Sequence, residues 1–217
     1  VYFPDCWWPH TTSQCRHIDW QLMSLETTAG SERTRLLVYN GGFLTSRRIR
    51  RMLALSGFDV RIGLPKQGDA VGVWGNSPTA HRGLGVATQH NAPALRVEDA
   101  FLRSLHPGRS GEPPLGLLLD RSGLHFDANQ TSDLETLLAT HPLDDTALLN
   151  RARGGIERMR SLNLSKYSAF DLSATPPDPG YVLVVDQVRG DAAVTASAGD
   201  EARFREMLVM AQAEHTG

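Results

Sequence analysis

Leu36-Leu37-Val38-Tyr39-Asn40-Gly41-Gly42 is a short apolar run of β type stopped by a turn signal. Beyond it, Thr45 stands where it would cap a helix over 46–55 that stops at Gly57. Residues 59–62 and 70–74 read as buried strands, and 79–89 as a helix interrupted by Gly83 and Gly85. Residues 94–97 and 115–119 read as further strands. Strands alternating with helices of about ten residues predict βαβ units and an α/β fold with a mostly parallel sheet. Ligands of such sheets bind beyond the carboxyl ends of the strands. That rule directs attention to Asn40-Gly41-Gly42, Gly75-Asn76, Glu98-Asp99 and 186–191.

Outside this core the pattern changes. Residues 1–35 are irregular, with Trp7, Trp8 and Trp20 set among Pro4, Pro9 and a Thr/Ser-rich stretch. Ser132 opens a helical stretch with Asp133 and Glu135 in its first turn, where carboxylates favour the positive helix end. A longer helix over 144–162 carries Leu148, Leu149, Ala152, Ile156 and Met159 on one stripe. The Pro-rich segment 173–180 reads as a linker, closing a domain over 36–172. After it, 181–186 reads as a new buried strand, 187–200 as a loop and 202–214 as a helix. These would be the opening of a second α/β domain over 181–217, and the chain would be a piece of a longer one.

Composition narrows the function classes. The 41% hydrophobic and 21% charged content is that of an ordinary globular chain, which excludes fibrous and disordered classes. Twenty-two Lys plus Arg against 24 Asp plus Glu leave a net charge of −2, so no nucleic-acid partner is implied. No apolar run reaches the roughly 18 residues that a transmembrane helix needs. Cys6 and Cys15 cannot build a disulfide framework, and no secretion signal opens the chain, so a reducing cytoplasm is the expected compartment.

Several constellations could carry chemistry. Glu98, Asp99, Arg103 and Ser104 follow a predicted strand and could supply a base and an anion clamp. The competing reading is a helix N-terminus decorated with acids. Asp186-Gln187-Val188-Arg189-Gly190-Asp191 resembles in shape a phosphate or sugar-nucleotide loop, in which Gly190 lets the backbone approach a ligand. A plain strand-to-helix turn is the alternative. Cys6, His10, Cys15 and His17 have soft or imidazole donors but match no common zinc spacing, and no metal site is expected. Arg47, Arg48, Arg50 and Arg51 could meet a phosphate, though a solvated helix face is the more frequent role of such a run. No GxGxxG, Walker A, GxSxG or HExxH motif occurs, which removes support for classical dehydrogenases, P-loop proteins, serine hydrolases and zincins.

Taken in order, Asp69 to Thr79, Arg96 to Ser104, Pro114 to Ala128, Ser132 to Glu135, Ser165-Lys166-Tyr167 and Val184 to Ala192 resemble the capsular polysaccharide biosynthesis β-Kdo transferases. Kdo is 3-deoxy-manno-octulosonic acid. The resemblance implies a GT-B-like glycosyltransferase half, a Rossmann-like sheet with flanking helices, plus the start of a second Rossmann-like domain. It also implies CMP-Kdo as donor and a glycolipid acceptor, a β-Kdo linker on lyso-phosphatidylglycerol, at the inner face of the inner membrane. Peripheral membrane contact and the rest of a parent polypeptide, often with two such modules, are the other implied partners; no cofactor is. The family's usual Gly is Ala100 here, and Asn76-Ser77 replaces the basic residue that usually follows Trp-Gly. Members of the family continue beyond the last helix into a strand and a His-Pro motif.

A β-linked product from a β-linked donor keeps its configuration. Retention by double displacement uses a nucleophilic carboxylate and an acid/base group, which lie about 5 Å apart in retaining glycosidases. By the resemblance, Asp191 is the nucleophile and Glu98 the base for the acceptor hydroxyl. Residue type and position add Asp99, Arg103, Ser104, Gln187, Arg189 and Gly190 as substrate-binding candidates, with Arg103, Ser104 and Arg189 as anion clamps. A non-catalytic Rossmann-like scaffold, a nucleotide-binding module and a glycan hydrolase stay open beside it.

Overall fold

A computed structural model describes residues 33–175 and 177–215. Residues 1–32, which include most of the irregular segment, the Cys6/His10/Cys15/His17 set and Trp7, Trp8 and Trp20, lie outside the described residues. The sheet has five strands: β1 (Thr34–Val38), β2 (Phe58–Arg61), β3 (Ala70–Trp74), β4 (Ala94–Asp99) and β5 (Leu117–Asp120). Their spatial order is β2-β1-β3-β4-β5. The first three pairings are parallel and β4/β5 is antiparallel. The chain runs outward in one direction from β1 and in the other from β3. The switch point therefore lies between these two strands, where an open sheet leaves a crevice at its carboxyl edge.

Two layers of helix cover the sheet. On one face, α1 (Gly41–Thr45) and α2 (Arg47–Leu55) bring Phe43, Ile49 and Leu53 against Leu36, Val38, Phe58, Leu95 and Val97. On the other, α3 (Ala80–Gln89) packs Ala80 and Ala87 against Val71 and Val73. Gly83 permits the close approach: a Cβ there would lie 2.6 Å from Val73 Cγ1. The glycine that interrupts the helical pattern is thus what seats the helix. Asn40 caps α1, accepting from the Gly42 N–H at 2.9 Å. Ser46, not Thr45, caps α2, its Oγ accepting from Ile49 N at 3.3 Å. Thr45 ends the preceding turn instead.

The later helices are α4 (Asp133–Thr140), α5 (Thr146–Ser161), α6 (Ala192–Ala196) and α7 (Glu201–Glu214), and none of them has a buried residue. Ser132 makes a complete capping box with Glu135 at the start of α4. The expected strand over 181–186 is absent. A strand requires a hydrogen-bonded neighbour, and none of the five strands pairs with this segment. Tyr181, Val182, Leu183 and Val185 are exposed. Helix α6 occupies part of what read as a loop.

Candidate active site

Strand alternation separates the two adjacent acids. Leu95 and Val97 belong to the core cluster under α1 and α2, together with Leu117 and Leu119. Arg96 and Glu98 therefore point to the opposite face, and Asp99 returns to the first. No helix follows. Residues 98 and 99 end β4 itself and lead into an irregular segment with a 3-10 turn at Gly108–Ser110, which overturns the reading as a decorated helix start.

Asp99, Arg103 and Ser104 form an internal brace. Arg103 Nε donates to Asp99 Oδ2 at 2.9 Å, and its Nη1 donates to Ser104 Oγ at 2.8 Å and to the Glu112 carbonyl at 2.7 Å. Arg103 is 7% and Ser104 4% exposed, so the guanidinium is surrounded by its own protein. Against the expectation that these two clamp an anion, Nε and Nη1 of Arg103 and the Ser104 hydroxyl are engaged in holding the 99–112 segment. The brace also fixes Lys166, whose carbonyl accepts from Arg103 N at 3.1 Å and Ser104 N at 3.3 Å.

Glu98 lies across Gly75, the residue after β3. Gly75 has φ +39°, and a Cβ there would fall 2.7 Å from the Glu98 carboxyl carbon and closer still to Oε1. Burial pushes the Glu98 carboxyl above its ordinary range; the neighbouring Asp99 and Asp191 charges add to the rise, while the Asp99 N–H and Lys166 oppose it. Asp191 is thus close enough for its charge to be felt at Glu98. It stands at the N-cap of α6, with one oxygen accepting from Ala193 N at 2.8 Å.

Two cavities meet here. One, of about 640 Å³, is lined by Trp74, Asn76, Pro78, Glu98, Asp127 and Asn129 on the sheet side and by Gly190, Ala192 and Thr195 across from them. The other, of about 500 Å³, is lined by Gln187, Arg189, Gly190 and residues of α6 and α7. Gly190 and Thr195 line both. Gln187, Arg189 and Gly190 thus gather on one side and Glu98 on the other, and Asp191 follows Gly190 in the chain without lining either cavity. Arg189 pairs with Glu201 at 3.0 Å and keeps 84% of its side chain exposed. The two walls are also tied directly, since Ala128 N donates to the Ala196 carbonyl at 3.4 Å and Ser197 Oγ to the Phe126 carbonyl at 3.4 Å.

Residue-type reasoning passed over Arg96 and Asp127. Arg96 Nη1 reaches the Gly75 carbonyl at 3.4 Å and Asn76 Oδ1 at 3.5 Å, placing a cation at the Trp-Gly turn from the neighbouring strand. The period-2 relation of Arg96 to Glu98 was the available signal. The loop holding Asp127 is pinned by Asp120, which is 2% exposed and accepts from Ser122 N at 2.9 Å, Gly123 N at 2.8 Å and Asp133 N at 2.9 Å. Among the described residues no cluster of metal-ligating side chains occurs.

The architecture is a Rossmann-like α/β domain, a mostly parallel five-stranded sheet with flanking helices, with Glu98 at the end of β4. The family model described as "Capsule polysaccharide biosynthesis protein" matches residues 69–172. Capsule polysaccharide modification protein LipA of Neisseria meningitidis serogroup A is 32% identical over 200 residues, which are 88% of this chain and 28% of that protein. Lipopolysaccharide-processing protein LpsZ of Rhizobium meliloti is 34% identical over 134 residues, 59% of this chain and 30% of that one. A solved structure, the β-Kdo 2,4 transferase of Thermosulfurimonas dismutans KpsC, superposes with a TM-score of 0.74 at 29% identity, covering 87% of this chain and 59% of that one. Over residues 69–172 the chain is thus similar to the capsule polysaccharide biosynthesis proteins. It spans less than a third of the length of the two curated relatives, 28% and 30%.

Proposed function

We propose that this chain is part of a retaining β-Kdo glycosyltransferase, holding the acceptor-side domain over 36–172 and, after the 173–180 linker, the edge of the donor-side domain. The observation that carries the reading is that Glu98 lines one cavity together with Gly190 and Ala192, the chain neighbours of Asp191, whose charge is felt at Glu98. CMP-Kdo occupies the Gln187/Arg189 side, and a β-Kdo glycolipid occupies the Glu98 side. The Asp191 carboxylate attacks the anomeric carbon of the donor; the bond to the cytidylate oxygen breaks and CMP leaves with that electron pair. The acceptor hydroxyl then attacks the same carbon, Glu98 takes its proton, and Asp191 departs. Two inversions retain the configuration.

The hydrogen bond from Ala193 N leaves the other Asp191 oxygen free to attack. The raised affinity of Glu98 for a proton suits a base whose duty is to accept one near neutral pH. Lys166 and the exposed Arg189 supply positive charge for the cytidylate phosphate and the Kdo carboxylate. Work at the cytoplasmic membrane face fits a glycolipid acceptor, and no helix among the described residues is long and apolar enough to cross a membrane. Exposed Tyr181, Leu183 and Val185 fit a segment completed by the rest of a parent polypeptide.

The test is transfer from CMP-Kdo to a β-Kdo glycolipid by the complete polypeptide, with Asp191→Ala and Glu98→Ala alongside. Loss of transfer in both variants, with a covalent Kdo adduct on the peptide around residue 191 in Glu98→Ala, is expected. Full activity in both removes the assigned roles. Kdo release to water without any acceptor would instead identify a hydrolase.

A further inference from the structure

Resting on the acceptor-side reading of this cavity, we propose that Asp127 and Asn76 form a hydroxyl-reading subsite that holds the acceptor sugar ring beside Glu98. The chain of contacts fixes the chemistry of the site. Arg96 Nη1 donates toward Asn76 Oδ1 at 3.5 Å. The Asn76 amide oxygen therefore faces Arg96, and its NH2 group lies on the side of Asp127, whose charged form it favours. Asp127 Oδ1 accepts from both the backbone N and the Nδ2 of Asn129, at 3.0 and 3.1 Å. These donors, together with the Arg96 charge, keep the carboxyl ionised, below its ordinary range.

An ionised carboxylate only accepts hydrogen bonds and offers about four lone-pair positions. Both donors from Asn129 fall on Oδ1, which leaves capacity on a carboxylate that lines the cavity. What fits such a spot is a group that donates. A sugar hydroxyl does so, whereas a phosphate or a carboxylate meets repulsion from the same oxygens. Trp74 and Pro78 line the same cavity and supply the apolar wall against which the C–H face of a ring packs. The carboxylate is rigidly presented, because Asp120 grips the start of its loop and Leu124 is 2% exposed. It stands on the Glu98 wall, where the hydroxyl that loses its proton must lie.

The experiment is steady-state transfer by the complete polypeptide with CMP-Kdo and a soluble β-Kdo glycoside as acceptor, comparing wild type, Asp127→Asn and Asn76→Ala. Asp127→Asn keeps the oxygen that Asn129 binds, so the loop keeps its shape. Expected is a rise in acceptor KM of roughly tenfold, the loss of one charge-assisted hydrogen bond, with donor KM unchanged. A merely structural role would move both KM values together. Acceptor KM within about twofold of wild type in both variants overturns the subsite, on the same tenfold-per-1.4 kcal/mol scale. If wild type transfers nothing, the transferase reading fails by itself. Saturation-transfer NMR with the same β-Kdo glycoside then decides the subsite: ring-proton signals lost in Asp127→Asn support it, and signals undiminished in the variant, or absent from wild type, overturn it.

Discussion

Gly75→Ala separates the position of Glu98 from its chemistry. The added methyl would sit 2.7 Å from the Glu98 carboxyl carbon, well inside contact distance, and a Cβ-bearing residue would have to hold φ +39°. The left-handed backbone costs about 1–2 kcal/mol. Moving the Glu98 side chain to another rotamer adds about 1 kcal/mol. Together these lower Tm by several degrees, at roughly 2–4 °C per kcal/mol for a domain of this size. The fold survives that, because the rest of the sheet is untouched. The displaced carboxylate, however, leaves the place from which it would take the acceptor proton. A positioned general base contributes roughly 10²–10⁴ in rate, so kcat should fall by about a hundredfold or more while the far-ultraviolet dichroism stays that of wild type. The decisive assay is a double-mutant cycle on transfer rate with Glu98→Gln. If Gly75 acts through Glu98, the two losses overlap and the double variant is no worse than Glu98→Gln alone. Rates that multiply through the cycle, or a Gly75→Ala variant within threefold of wild type (about 0.6 kcal/mol), would refute the argument.

Glu98→Gln should raise Tm at neutral pH even as it removes activity. The folded state holds the Glu98 proton more tightly than the unfolded chain, so ionisation costs stability as pH rises from the ordinary Glu pKa of about 4.3 through the raised one; calorimetry across this range should show the variant's advantage growing with pH. Asp120 behaves oppositely: burial works against its charge, but backbone N–H donors from Gly123, Asp133, Ser122 and Leu134 prevail and hold it below its usual value. Its stabilisation is complete above the ordinary Asp pKa of about 3.9 and fades as pH drops through the lowered one. Asp120→Ala, which orphans those N–H groups, should cost about 3 kcal/mol or more in urea unfolding. Ser132→Ala dismantles half of the capping box on α4 and should cost about 1–2 kcal/mol, measured the same way, with transfer kinetics unchanged.

The sheet was legible because its strands are short apolar runs punctuated by turn residues, and burial on both faces leaves such runs unmistakable. The run at 70–74 matches β3 in full, with Val71 and Val73 serving one helix layer and Ala70 the other. Periodicity does not show whether an apolar run finds a partner strand, and 181–186 has the composition of a strand without one. Helix α6 escaped for a different reason. Five residues make barely more than one turn, too short for an amphipathic stripe, and only the Asp191 cap marks its start.

The site was half legible, and strand geometry explains which half. Reading Glu98 and Asp99 as a unit follows from adjacency in sequence, but a β-strand sends neighbours to opposite faces. Adjacent acids on a strand therefore serve two environments. Asp99 anchors a buried arginine, and Glu98 takes the cleft with Arg96, its partner two residues back. The same rule assigns Asp120 and Arg96 to one face through the antiparallel register of β4 and β5, which pairs them directly. The loop after β5 then brings Asp127 into the cavity that Glu98 lines. The carboxylates at 98 and 127 are distant in sequence, yet the strand β4 and the loop after β5 put both on the cleft wall. Glu98 lies deep enough for burial to favour its proton, and Asp127 is kept charged by amides. A proton acceptor and a permanent hydrogen-bond acceptor thus come from the same residue chemistry, separated by how far each side chain stands from water.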